Sequence, residues 1–93
     1  MTLIGTFTGI GILKIGGSEI GPVEYEIDEF FDGYFKSAEG WMDGEIDALE
    51  RAFESEKVTL VRGDNRFEMK IVVTRFSPGN PASISVSGPT RPS

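Results

Sequence analysis

Every second residue from Val23 to Ile27 is apolar, and the residues between and just after them are acidic. Because successive side chains of a β-strand point to opposite faces, this period of two predicts a strand with one face in the core and one charged face in water. The Asp32-Gly33 pair that follows is a favoured hairpin turn. The chain is therefore expected to form an antiparallel hairpin here, and the two faces of its first strand are already assigned.

A two-residue loop at Asp32-Gly33 also predicts which residues pair across the hairpin. Phe30 is then opposite Phe35, and Glu29 is opposite Lys36. Aromatic pairs and pairs of opposite charge each stabilise a sheet by roughly 0.2–1 kcal/mol, so both pairs favour this register. The same register places Phe30 and Phe35 on the acidic face.

The segment Thr2–Ile15 is rich in Thr and Ile and predicts a long first strand. Its apolar residues change from odd to even positions and back again, and Gly9 and Gly11 lie where the phase slips. Glycine inside a strand pattern suggests a bulge or a bend. We therefore expect a bent first strand that contributes to two parts of one barrel.

The rest of the chain predicts one helix and three more strands. Apolar residues recur at helical spacing between Gly44 and Ser55, which predicts a helix of about two turns. A second hairpin around the turn at 63–65 and a short strand at Ile84 and Val86 follow. The predicted fold is mainly β: a small, partly open six-stranded antiparallel barrel with one short helix after the third strand. This order of elements looks like an OB-like or SH3-like barrel.

The chain has 93 residues, which fits one domain with a modest core. We expect a single barrel domain over residues 1–88 and a disordered tail over residues 89–93, which include two prolines. Glycines interrupt the first 17 residues, so they do not resemble a secretory signal, and no segment is long and apolar enough to span a membrane. A cytoplasmic location is expected.

The sequence contains neither cysteine nor histidine. Disulfides and thiol nucleophiles are thereby excluded, and the side chain best suited to proton transfer near neutral pH is missing. The best oxygen cluster for a metal ion is Asp43, Glu45 and Asp47, but its spacing matches no calcium loop, and acidic residues before a helix stabilise its N-terminus. We therefore expect a protein that is not an enzyme and has no metal or cofactor.

Acidic residues are concentrated in the first part of the chain: thirteen of fifteen lie within residues 1–56, whereas six of the nine basic residues follow. Charge separated in this way affects association rather than the choice of fold. The OB-like order suggests nucleic acid binding on the second and third strands by analogy. Their predicted solvent face is acidic and would repel phosphates, so no nucleic acid partner is expected.

The solvent face of the central hairpin is the predicted binding surface for a protein partner or a second copy of the chain. Aromatic side chains rimmed by carboxylates are typical of a protein interface. The predicted partner-binding residues are Glu24, Glu26, Asp28, Phe30, Phe35, Glu39 and Trp41.

Other interpretations of this hairpin remain open from the sequence. The helix, through Leu49 and Phe53, or the bent first strand could cover the aromatic rings, which would make them part of the core. A small-molecule or carbohydrate-binding barrel and a structural subunit of a larger assembly are the alternative functions.

Overall fold

Six β-strands and one helix make up the chain in the computed structural model, which describes residues 1–92. The order of three strands, one helix and three strands confirms the predicted fold class. The elements are β1 (Thr2–Ile15), β2 (Ser18–Phe31), β3 (Lys36–Asp43), α1 (Ile46–Glu54), β4 (Val58–Val61), β5 (Glu68–Arg75) and β6 (Ala82–Val86).

The strands form a closed antiparallel barrel in the order β1-β2-β3-β6-β5-β4. Closure comes from β1, which pairs along its whole length with β2 and, through Ile12–Ile15, also with Val58–Val61 of β4. The prediction of a partly open barrel was therefore wrong, because β1 is long enough to pair with β4 as well as with β2.

The inner face of the barrel is filled by apolar side chains. Val23, Tyr25 and Ile27 are buried, as the alternation in β2 predicts. The helix α1 packs against β5 and adds Leu49 and Ala52 to the same core. The other fully buried large side chains come from five different strands: Leu13, Met42, Leu60, Met69 and Ile84.

The glycines of β1 have a different role from the one that the sequence predicts. Gly9 lies opposite Tyr25 and Gly11 opposite Val23, both on the inner face, and the register shifts lie elsewhere, at Leu3/Gly5 and Leu13/Lys14. A Cβ atom at Gly9 would lie 3.2 Å from the Tyr25 hydroxyl. The phase therefore does not slip at these glycines; they leave room inside the barrel for the Tyr25 ring.

The helix is short, at nine residues. No helix within residues 1–92 is long and apolar enough to cross a membrane. The Phe53 ring of α1 packs against Phe76, with ring centroids 6.3 Å apart, and α1 has its main strand contact with β5. Tyr34 and Phe35 at the central turn are exposed.

Candidate protein-binding surface

The central hairpin has a longer loop than the sequence predicts. Phe30 pairs with Ser37 and Glu29 with Ala38, so the register is displaced by two residues and the loop contains four, Asp32 to Phe35. The predicted pairs of Phe30 with Phe35 and of Glu29 with Lys36 were therefore wrong.

The side chain of Asp32 explains the wider loop. Its Oδ1 accepts hydrogen bonds from the backbone N–H groups of Phe35, at 2.8 Å, and Tyr34, at 2.9 Å. The N–H of Asp32 in turn donates to the Phe35 carbonyl oxygen at 3.2 Å. An aspartate that binds the backbone two and three residues ahead stabilises a turn of its own, which here replaces the two-residue turn.

A displacement of two residues keeps every side chain on its predicted face, because the side chains of a strand repeat every two residues. The outer face of β2 and β3 therefore carries the acidic residues that the sequence places there. We call this surface the acidic wall and define it as Glu24, Glu26 and Asp28 of β2 with Glu39 and Trp41 of β3.

The acidic wall brings carboxylates close together across the two strands. Asp28 is the direct cross-strand partner of Glu39, and Glu24 is the partner of Asp43. Like charges in such positions destabilise a sheet. Only one of the wall acids has an aromatic partner: the indole N–H of Trp41 donates to Oε2 of Glu26 at 3.3 Å.

The charge of the acidic wall is not neutralised within the chain. Three ion pairs within 4 Å occur among the described residues, and none of them includes an acid of the wall: Lys14–Glu68, Arg62–Asp64 and Arg91–Glu29. A neutral contact is present at Asp28, whose Oδ1 accepts a hydrogen bond from the Thr6 hydroxyl at 2.7 Å. The wall therefore presents net negative charge to any approaching molecule.

The predicted aromatic residues divide between two places. Phe30 and Trp41 are half-buried on the outer face of the sheet, whereas Phe35 lies in the loop and is 76% exposed. With Phe31 and Tyr34 it forms a surface that we call the aromatic tip. Six residues of strand correspond to about 20 Å, so Phe35 lies far from Trp41 and not at the centre of the wall.

The loop that carries the aromatic tip should depend on pH through Asp32. Hydrogen bonds from the N–H groups of Phe35 and Tyr34 hold the pKa of its carboxyl below the ordinary value of 3.8. A lowered pKa means that the ionised form stabilises the folded loop, so this stabilisation is complete above the unfolded pKa and disappears as the pH falls through the folded one. We expect the loop to loosen below pH 3.8.

Amide proton shifts of Tyr34 and Phe35, followed by NMR during an acid titration, measure this change. An Asp32→Asn variant is the control, because its amide side chain does not titrate in this range. A common titration midpoint at or above the ordinary aspartate pKa would contradict the assignment of these hydrogen bonds.

A group of buried polar residues was missed by the sequence analysis. Glu29, Arg62 and Thr90 are each less than 10% exposed. The Thr90 hydroxyl donates to Oε2 of Glu29 at 2.7 Å, and Arg91 also donates to this carboxylate. Thr90 and Glu29 are 61 positions apart, so no local pattern connects them.

Arg62 joins the same group from the other side. Its Nη1 donates to the Thr90 carbonyl oxygen at 2.9 Å, and its guanidinium lies 3.9 Å from the centre of the Phe7 ring. Two further hydrogen bonds from Arg62 lower the pKa of the Asp64 carboxyl. The segment that the sequence predicts as a tail, residues 89–93, thus lies against the barrel at Thr90; its last residue, Ser93, is outside the described residues.

No group of three or more Asp or Glu side chains within residues 1–92 is arranged to hold a metal ion. The acidic cluster Asp43, Glu45 and Asp47 is exposed around the beginning of α1. Glu45 occupies the N-cap position without a side-chain hydrogen bond to the helix.

Comparisons of the chain with protein-family models, curated proteins and solved structures found no match.

Proposed function

We propose that this chain is a non-catalytic protein-binding module whose acidic wall binds a cationic protein surface. The observation that supports this most directly is the cross-strand pairing of Asp28 with Glu39 without a Lys or Arg within 4 Å of either, among residues 1–92. A cationic partner would relieve this repulsion, which the fold itself leaves in place.

Trp41 provides the apolar part of such an interface. Its ring is half-buried beside a shallow groove that also contacts Thr8, Gly9, Ile10 and Glu24. Ile10, which lines the same groove, is 64% exposed. An aromatic side chain flanked by an exposed aliphatic one and by carboxylates is the arrangement in which tryptophan contributes strongly to binding and charges orient the encounter.

The filled interior of the barrel favours a protein over a small ligand. Tyr25, Leu60 and Met69 occupy the space that a ligand-binding barrel of this size would keep open, and each is 2% exposed or less. Binding in such a molecule is left to its outer surface.

A second copy of the chain is the simplest cationic partner. In the barrel order β5 lies three strands from β2 in either direction, so its outer face is turned away from the acidic wall. This strand carries Lys70 and Arg75, both exposed. Contact between the wall of one copy and β5 of the next would join different surfaces, which produces rings or open chains rather than closed dimers.

The test compares wild type with two variants of equal net charge. Glu24→Gln, Glu26→Gln and Glu39→Gln together neutralise the wall, whereas Asp47→Asn, Glu50→Gln and Glu54→Gln together neutralise α1. Sedimentation velocity at low and at physiological salt measures association of the purified protein. Wall-to-β5 contact produces assemblies of more than two copies. We expect these larger assemblies to dissociate as salt rises, to be absent in the wall variant, and to persist in the helix variant.

A partner other than a second copy is tested with the same three proteins as immobilised baits in a cell extract. A protein retained by the wild type and the helix variant, but not by the wall variant, would be the cationic partner. Equal retention by all three proteins would refute the assignment of the wall as the binding surface.

A further inference from the structure

The first part of β1 has a neighbour on one side only. Thr2–Gly9 pairs with β2, but the pairing of β1 with β4 begins only at Ile12. In an antiparallel ladder every second residue directs its N–H and C=O away from the paired neighbour. This stretch therefore presents unpaired backbone donors and acceptors, which form a template for another strand.

This edge lacks the residues that normally prevent such pairing. Charged residues and prolines protect sheet edges, and Thr2–Gly9 contains neither. One register shift, at Leu3/Gly5, interrupts the edge near its beginning, and the ladder from Gly5 to Gly9 is regular. Leu3 and Ile4, which lie at this register shift, are about half exposed. The edge therefore continues into an apolar end.

The other unpaired edge of the barrel is protected. Ser18–Val23 of β2 extends beyond the part of β2 that pairs with β3, and it contains Glu19 and Pro22. A Cβ atom at Gly44, just before α1, would lie 3.2 Å from the Pro22 carbonyl oxygen, so the chain leading to the helix lies against the end of this stretch. Within the described residues, the Ser18–Val23 edge thus carries a carboxylate and a proline, whereas the Gly5–Gly9 strand carries neither and lies beside an open groove that Arg62, Asn65 and Arg91 border at Ile4–Phe7.

We propose that two copies of this chain pair antiparallel through the Gly5–Gly9 edges of their β1 strands and form a closed dimer with one continuous sheet. The proposal does not depend on the function of the acidic wall. An uncharged strand can lie opposite its own copy without like-charge repulsion, and a two-fold axis at Phe7 would place Thr6 of each copy opposite Thr8 of the other. Facing threonines are a favourable cross-strand pair.

The acidic walls do not prevent this arrangement. In the dimer the two β2 strands would be separated by both β1 strands, which is about 14 Å at the usual strand spacing. Charges separated by more than about 8 Å are largely screened at physiological ionic strength. Remaining repulsion between the walls would fall as salt rises, so this dimer should be unchanged or tighter at high salt, whereas binding through the acidic wall should weaken.

The experiment introduces charged side chains of either sign at Thr6 and Thr8. A Thr6→Lys/Thr8→Lys variant places like charges opposite each other in both pairs, and its dimer dissociation constant should rise about tenfold or more. A Thr6→Glu/Thr8→Glu variant should be impaired at least as strongly, because its new carboxylates also lie opposite Asp28 and Glu26 of β2. Their equal mixture should regain dimers that contain one copy of each, detected by native mass spectrometry.

A Ser77→Lys/Asn80→Lys variant is the matched control, because both residues are exposed in the turn between β5 and β6, outside the Gly5–Gly9 edge and the acidic wall. It should dimerise as the wild type does, and circular dichroism verifies that all variants are folded. A wild-type chain that stays monomeric, or a lysine variant that dimerises normally, would overturn the proposal. Dimers that dissociate as salt rises would also overturn it and would assign association to the acidic wall.

Discussion

Replacement of Tyr25 by alanine is expected to lower the free energy of unfolding by about 3–5 kcal/mol, the range for removal of a buried aromatic ring. The Tyr25 ring is 2% exposed and packs edge-to-face against Phe7, with ring centroids 6.2 Å apart. Its neighbours on β1 include Gly9 and Gly11, which have no side chains that could move into the cavity. Urea unfolding followed by circular dichroism measures the loss.

A Tyr25→Phe variant separates the ring from its hydroxyl. The hydroxyl oxygen accepts a hydrogen bond of 3.3 Å from the Gly63 N–H, next to the buried Arg62. Loss of this one bond should cost about 1 kcal/mol. Equal losses in the two variants would show that the ring itself contributes little, contrary to its position in the core.

Replacement of Thr90 by valine is expected to lower the free energy of unfolding by about 1.5–3 kcal/mol, because a carboxylate that is buried in the fold loses a hydrogen bond. Valine has nearly the shape of threonine, so the segment still covers Glu29 but no longer donates to it. The same unfolding measurement applies. Thr2→Val, at an exposed position of β1 outside the Gly5–Gly9 edge, should change stability by no more than about 0.5 kcal/mol.

A double-mutant cycle with Glu29 isolates the interaction. In a Glu29→Gln background the Thr90→Val change should cost less, because the acceptor is then neutral. The cost would be the same in both backgrounds if the contribution of Thr90 came from packing alone. A chain in which Thr90→Val is without effect would show that residues 89–92 do not stay on the barrel in solution.

The sequence was sufficient to predict the faces of β2 because its alternation is strict. Burial of Val23, Tyr25 and Ile27 requires only that the segment be extended, and any strand pairing that keeps them inside leaves the acids outside. The number and order of the elements followed from the same local patterns. The outer position of the acidic wall could therefore be predicted without knowledge of its neighbours.

The pairing of the central hairpin could not be predicted in the same way, because an Asp-Gly pair is compatible with more than one loop length. The hydrogen bonds from the N–H groups of Tyr34 and Phe35 to the Asp32 side chain stabilise the four-residue loop. As a result, Phe35 lies at the aromatic tip instead of opposite Phe30.

The contacts between distant segments were also beyond local patterns. The glycines of β1 were interpreted as the site of a bend. Their close contact is with the Tyr25 ring, which lies on another strand and is not visible in the local pattern. The environment of Glu29 depends on Thr90 and Arg91, in a segment whose composition alone suggests a free tail.

The four-residue loop has a consequence for how this chain can change through insertion and deletion. Addition or loss of two loop residues would keep each side chain of β3 on the same face of the sheet. Trp41 and Glu39 would therefore still point toward solvent. A single inserted residue would invert the strand, moving the indole inward and Met42 outward. Length variants of this loop in related chains should therefore differ by even numbers.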